Sequence, residues 1–433
     1  MKRTEFFSAL LHERYCRIDH DSGLQIYVFP KKMTTSYALF ATRYGSLDRA
    51  FAADGGAPEE LPDGVAHFLE HKLFDNADGS DAFAQFSALG ADANAYTTYN
   101  RTAYLFSTTE HFYKSLGELL SFVTHPHFTK ASVKKEQGII AEEIRMYDDM
   151  PWERVFQNLL LAMYRGHPVR RNVCGTVASI KKITPELLYR AHELFYAPDN
   201  MVLVVCGDVD ADEVLAVADR TLTAPTSAHR VERLMPDEPA AVEKSYIEAR
   251  MSLSKPIFSI GIKDDTPSAD PVARARREFA MTLLNEVLFS QSGTFYHTLF
   301  EEGLITPSFA HGYSADASFA FNCITGESDR PEEVLTRFWA YVERVKDEGL
   351  SDEDVERARR VLYADEIRAY DSTEEIANRL LSFVLDGIDM FDVPEWIRAV
   401  SREELEELMR ALYRRERTAL SVIYPLDGEG ETE

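Results

Sequence analysis

The chain has 433 residues, 47 Lys and Arg against 72 Asp and Glu, and a formal net charge of −25 at pH 7. Apolar residues make up 45%, enough for sizeable cores, and the length exceeds what one core serves, so two domains are expected rather than a disordered chain. The acidic balance excludes nucleic acid as the main partner and favours neutral or basic ligands.

Taken in chain order, the start MKRTEFFSALLHERYC has too little apolar sequence before His12, Glu13 and Arg14 for a signal-peptide core. LQIYVFP (24–30) and SYALFATRYG (36–45) read as strands, rich in β-branched and aromatic residues. GVAHFLEHKLF (64–74) reads as a helix, followed by a second from Ser80 to about Leu89. ANAYTTYNRTAYLFST (93–108) reads as a strand pair or long hairpin, and helical patterns cover 111–124 and 130–149. MVLVVCGD (201–208) is a buried strand ending in a Gly-Asp turn. MVLVVC is also the longest apolar run, too short for a membrane span. PIFSIGIKD (256–264) resumes as a strand after a stretch, 223–244, that collects Pro, Ser and charge without a period. Cys16, Cys174, Cys206 and Cys323 form no C-x-x-C pair and read as reduced, mostly buried thiols, which points to a cytoplasmic protein.

An internal repeat supports two domains. EEIRMYDDMPWERVFQNLL (142–160) matches DEIRAYDSTEEIANRLL (365–381), with Glu143 over Glu366, Tyr147 over Tyr370 and Asp148 over Asp371. The expected architecture is α+β: two homologous αβ units, each an antiparallel-rich sheet with helices on one face. The expected division is 1–224 for the first unit, 225–244 for a linker and 245–433 for the second. At the repeat offset from His67 the second half has Ser290, with no histidine in NEVLFSQSG, so only the first unit can carry the constellation that follows.

His67, Glu70 and His71 stand at i, i+3 and i+4 of the first helix and share one face. Two imidazoles one turn apart can reach a single metal ion. The order H-x-x-E-H is the inverted form of the H-E-x-x-H protease motif, whose glutamate acts as base on metal-bound water. A third ligand is needed. On KKEQGIIAEEIRMYDDM (134–150) an apolar stripe is expected through Ile139, Ile140, Ile144, Met146 and Tyr147. Glu136 and Glu143, two turns apart, fall on that stripe, whereas Glu142 falls on the solvated side. Glu143 is therefore the expected third ligand, and Glu136 a carboxylate that orients a ligand histidine or the water. His111, His125, His127, His167 and His192 read as structural, loop or exposed residues.

The chain resembles the pitrilysin family of inverted zinc peptidases, which includes insulysin and the mitochondrial processing peptidase, and most closely its bacterial half-length branch. The resemblance runs over nearly the whole length through GVAHFLEHKLF, NAYTTYNRTAY (94–104), EQGIIAEEIRMYDDMP (136–151), GHPVRRNVCGTVASIKKITPELL (166–188) and FYAPDNMVLVVCGDVD (195–210). It implies one Zn2+ per chain on His67, His71 and Glu143, Glu70 as general base, and a substrate-pairing edge strand at Asn94, Ala95 and Thr97. It also implies a clamshell of two units closing over short or unfolded peptides, and assembly as a homodimer or as a heterodimer with a sister chain. Relatives often carry an Arg and a Tyr in the second unit that contact substrate or the oxyanion. Here Phe300 stands at the Arg position in LFEEGLITPSF (299–309), which leaves Tyr296, Tyr313 or a partner chain to supply that contact. The expected function is a zinc-dependent endopeptidase. The alternatives are a subunit that needs its sister for activity and a zinc-stabilised peptide-binding module without catalysis.

Overall fold

The computed structural model describes residues 2–76, 79–222 and 229–426. They gather into two compact units, one drawn from 1–144, 172–234 and 366–391, the other from 145–171, 235–365 and 392–433. This differs from the linear division expected above. Each half of the sequence lends one helical segment to the unit built by the other half, and the lent segments are the two copies of the internal repeat.

The first unit holds β1 (Lys2–Ser8), β2 (Glu13–Asp19), β3 (Gln25–Pro30), β4 (Ser36–Thr42), β5 (Ala50–Ala53), β6 (Pro58–Glu60), β7 (Ala91–Thr97), β8 (Thr102–Thr108), β9 (Met201–Gly207) and β10 (Val231–Arg233). Its main sheet runs β1-β2-β3-β9-β4-β8-β7, antiparallel except for the parallel pair β3 and β9. The second unit holds β11 (Tyr246–Met251), β12 (Ile257–Asp264), β13 (Ala310–Ala315), β14 (Ala320–Glu327) and β15 (Thr418–Pro425), in the order β11-β15-β12-β14-β13. Again one pair, β11 and β15, is parallel. The five-strand pattern β3-β9-β4-β8-β7 thus recurs as β11-β15-β12-β14-β13, which is the duplication the repeat announced.

The exchanged helices explain why strands that would alternate in a one-sided sheet are buried throughout. All seven residues of β4 and of β9 are buried, and all eight of β12. On one face of the first sheet, Ile376, Leu380, Leu381 and Val384 of the helix Thr373–Val384 pack against Tyr37, Leu39, Val202 and Val204. On the other lie the helices Val65–Lys72 and Phe112–Thr124. Each of those aliphatic side chains contributes about 1.5–3 kcal/mol by leaving water. Tyr15 ties the lent segment down further, donating to Asp389 Oδ1 at 2.7 Å. In the second unit the helix Pro151–Met163 lies on β11, β12 and β15. Gly261 makes that approach possible, since a Cβ there would stand 2.6 Å from Met163 Sδ. The helices on one face that the sequence suggests are those of the same half; the second face is covered by the lent helix.

The segment read as a linker is structured where it is described. β10 pairs with β5 in the first unit, and Arg233 Nε reaches Asp48 Oδ1 at 2.8 Å. In the second unit Glu238 accepts from the backbone N–H groups of Arg165, Gly166 and His167 and from Lys263 Nζ at 2.7 Å. These donors hold the Glu238 carboxyl down at about 2 although burial opposes them. Residues 225–228 of the expected linker lie outside the described residues. Among the described residues no helix is long and apolar enough to cross a membrane.

Candidate metal centre

The helix Val65–Lys72 begins at Gly64, whose φ of 94° only glycine adopts without strain. A Cβ at Gly64 would stand 2.5 Å from the Cys174 carbonyl oxygen, and one at Gly175 2.4 Å from that of Asp63. Two glycines therefore let the loop around Cys174 lie against the first turn of the helix, and Ser179 Oγ fastens it by donating to Asp63 O at 2.8 Å. Val65, Ala66, Phe68 and Leu69 are buried in the unit's core. That leaves His67, Glu70 and His71 on the remaining face.

The structure brings these three together with residues of the helix Lys130–Asp148. The His67 and His71 rings stand 4.6 Å apart, centre to centre. Glu143 faces both, Oε1 lying 3.5 Å from His67 Nε2 and Oε2 lying 3.5 Å from His71 Nε2. Glu136 Oε1 accepts from His71 Nδ1 at 3.0 Å, which fixes that ring and turns its Nε2 toward Glu143. Glu142 is exposed on the opposite side. The premise that led to Glu143 needs one correction. The buried stripe of this helix is Val133, Glu136, Ile140, Ala141 and Ile144, while Ile139 and Met146 are exposed. The two glutamates are placed by the imidazoles they face, not by those two apolar neighbours.

These residues fit a metal. Separations of 3.5 Å are long for hydrogen bonds. Each is near the roughly 3.4 Å ligand-to-ligand edge of a tetrahedral zinc site with bonds of about 2.1 Å, one through each Glu143 oxygen, so the carboxylate would share an ion by using both oxygens or by a small turn. His67 is only 7% exposed, and its Nε2 faces Glu143 Oε1 at 3.5 Å. Such burial of imidazole is costly without a further interaction. Among the described residues, two groups of three side chains bring one ligand atom apiece within 4.8 Å of each other, His67, Glu70 and His71, and His67, Glu143 and Cys174; His67 belongs to both, and Glu143 reaches His71 with its second oxygen. Cys174, read from sequence as one more buried thiol, stands with its Sγ 3.7 Å from His67 Nε2. Only its place in NVCGT, inside one of the stretches that carry the family resemblance, marked it beforehand. The repeat supplies a contrast. Glu366, at the position of Glu143 in the second copy, is buried and paired with the guanidinium of Arg379. There a guanidinium faces the carboxylate, where at Glu143 two imidazoles do.

Glu70 is positioned by β7. Thr97 Oγ1 donates to Glu70 Oε2 at 2.6 Å, and Thr97 neighbours Thr102, which is anchored on the Tyr44 carbonyl at 3.0 Å. Asn94 and Ala95 lie on the same strand, at the edge of the sheet, and Asn94 Oδ1 accepts from the Ala95 N–H. In the second unit Tyr313 donates to Asp264 Oδ2 at 2.8 Å, and Tyr296 stacks beneath the exposed Phe300. Of the other histidines, His192 donates from Nε2 to the Val123 carbonyl oxygen at 2.9 Å and is held down to about 4 by burial, and His167 is buried beside Val169.

Residues 51–177 match the family model described as insulinase (peptidase family M16), and residues 182–362 match the one described as the peptidase M16 inactive domain. The uncharacterized zinc protease YmfH of Bacillus subtilis is 36% identical over 96% of this chain and 97% of its own length. The crystal structure of an M16-like peptidase from Alicyclobacillus acidocaldarius superposes with a TM-score of 0.93 at 34% identity, covering 97% of this chain and all of that one. A probable mitochondrial-processing peptidase subunit beta of Schizosaccharomyces pombe is 29% identical over 42% of this chain and 40% of its own length.

Burial lowers the affinity of His71 for a proton, but the Glu136 hydrogen bond and the charges of Glu143, Glu136 and Glu70 outweigh it, so its pKa is raised. In metal-free protein the stability this contributes is present below the unfolded value of about 6.5 and is lost as pH rises through the higher folded value. Replacing Glu136 with Gln should lower the pH at which His71 loses its proton, read by NMR of the imidazole C–H in chelator-treated protein. An unchanged His71 titration in that variant would show that Glu136 does not orient the ring.

Proposed function

The chain belongs to peptidase family M16, the pitrilysin or insulinase family, and on that premise we propose that it is a zinc-dependent endopeptidase holding one Zn2+ on His67, His71 and Glu143. The observation that carries this reading is the meeting of two helical imidazoles with Glu143 at 3.5 Å each, beside a glutamate held in place from a neighbouring strand. Zinc in that site supplies a Lewis acid that acidifies water and polarises a peptide carbonyl.

The chain's own residues do the rest. Thr97 occupies Glu70 Oε2, so the other carboxylate oxygen takes the proton from the attacking water and later passes it to the leaving amine. Glu136 keeps His71 in the tautomer that presents Nε2. The outer edge of β7, with Asn94, Ala95 and Thr97, offers an extended peptide a strand to pair with. A site that reads main chain in this way suits short or unfolded peptides, which can extend along an edge strand without first giving up structure of their own.

A zinc-stabilised binding module accounts for the ligands but not for Glu70, which metal binding does not require. The Glu70→Gln protein should keep its metal and its peptide affinity while turnover falls on the order of 10²–10⁴-fold. Chelation should abolish cleavage of an unstructured peptide and zinc should restore it. Near wild-type turnover by the Gln variant would remove Glu70 from the chemistry and favour the binding module.

A partnership is also proposed. The relative from Schizosaccharomyces pombe is named as a subunit, and Phe300, 43% exposed, stands where an Arg is expected to contact substrate. The proposed assembly is a homodimer or a heterodimer with a sister chain lacking H-x-x-E-H. Such a sister should raise the cleavage rate without adding zinc. Full activity in a chain shown to be monomeric by light scattering would dismiss any need for a partner.

A further inference from the structure

Cys174 has no part in the family's ligand set, yet it is one of three side chains, with His67 and Glu143, whose ligand atoms all lie within 4.8 Å of one another. Its placement is built rather than incidental. Gly64 and Gly175 both adopt positive φ so that the two backbones touch, and Asn172 Oδ1 accepts the Cys174 N–H at 2.9 Å. The side chain is thereby held 7% exposed, with Sγ 3.7 Å from His67 Nε2, the nitrogen that faces Glu143. The other cysteines serve the sheets: Cys16 lies on β2, Cys206 on β9 and Cys323 on β14, and none belongs to a group of three metal-capable side chains among the described residues.

Resting on the zinc reading above, we propose that Cys174 is a fourth protein ligand of the metal in the substrate-free protein, bound as thiolate with its proton released to solvent. The chemistry is consistent: zinc takes sulfur, imidazole and carboxylate together, and the sulfur stands within 4.8 Å of ligand atoms of both His67 and Glu143. A centre closed in this way differs from an open catalytic one. A peptide must displace the sulfur, or the coordination must expand to five. Sulfur also biases the site toward softer ions.

The test uses the full chain loaded with cobalt(II) in place of zinc. Wild-type protein with one cobalt per chain should show a thiolate-to-cobalt charge-transfer band in the near ultraviolet. Cys174→Ser should bind one cobalt, keep the visible bands of a four-coordinate ion and lose the charge-transfer band, with metal affinity reduced at least about 10-fold. Cys206→Ser should keep the band. One cobalt per chain without the band in the wild type, or a band that persists in Cys174→Ser, would overturn the assignment while leaving His67, His71 and Glu143 as ligands. Failure of the wild type to bind cobalt or zinc at all would overturn both this inference and the zinc reading. A wild-type spectrum without the band decides against the proposal however well the serine variant folds.

Discussion

A cluster of imidazole and carboxylate held out of water organises this protein. His67, His71, Glu136 and Glu143 sit at the junction of two helices, with Glu136 itself buried. Taking such groups from water costs several kcal/mol unless each finds a partner of opposite character. Glu136 finds His71, and Glu70 finds Thr97. Glu143 faces His67 and His71, one with each carboxylate oxygen, at 3.5 Å. Much of the local backbone serves this cluster. The two left-handed glycines that press the Cys174 loop on the helix, and the edge strand that carries Thr97, have their clearest meaning as supports for these side chains.

The duplicated architecture shows how such a site can arise on one unit and not the other. Both units share a five-strand pattern with one parallel pair, and each is completed by a helix from the opposite half. The two copies of the E-x-R-x-Y-D segment bring a glutamate to equivalent points of the sequence, and the cation differs. Glu366 is met by Arg379, whereas Glu143 is met by imidazoles. A fixed guanidinium satisfies a carboxylate and ends its chemistry. An imidazole nitrogen, unlike a guanidinium, can itself ligate an ion.

How much of this was legible follows the physics of each signal. The i, i+3, i+4 spacing fixed His67, Glu70 and His71 to one face because helical geometry is local. β9 was recognised because a strand covered on both sides reads as a continuous apolar run. Glu143 faces both imidazoles and Glu142 is exposed, but the stripe that pointed to Glu143 is partly wrong: Ile139 and Met146 are exposed, and no single-sequence pattern tells an apolar residue facing a core from one facing solvent. The β1–β2 hairpin was missed because Lys, Arg and Glu dominate its exposed edge. The exchange of helices was invisible as well. The repeat showed that two segments are alike, but only non-local packing, such as that of Ile376 and Leu380 on β4 and β9, decides which sheet each one covers. Cys174 was passed over because a thiol reads as a small apolar residue until its neighbours are known.

The central claim is that His67, His71 and Glu143 hold one zinc ion, and anomalous diffraction at the zinc edge from crystals grown with equimolar zinc tests it most directly. The account predicts a single strong peak per chain, about 2.0–2.2 Å from Nε2 of both histidines and from a Glu143 oxygen. A map with no peak there, or with its only strong peak on other side chains, would contradict it.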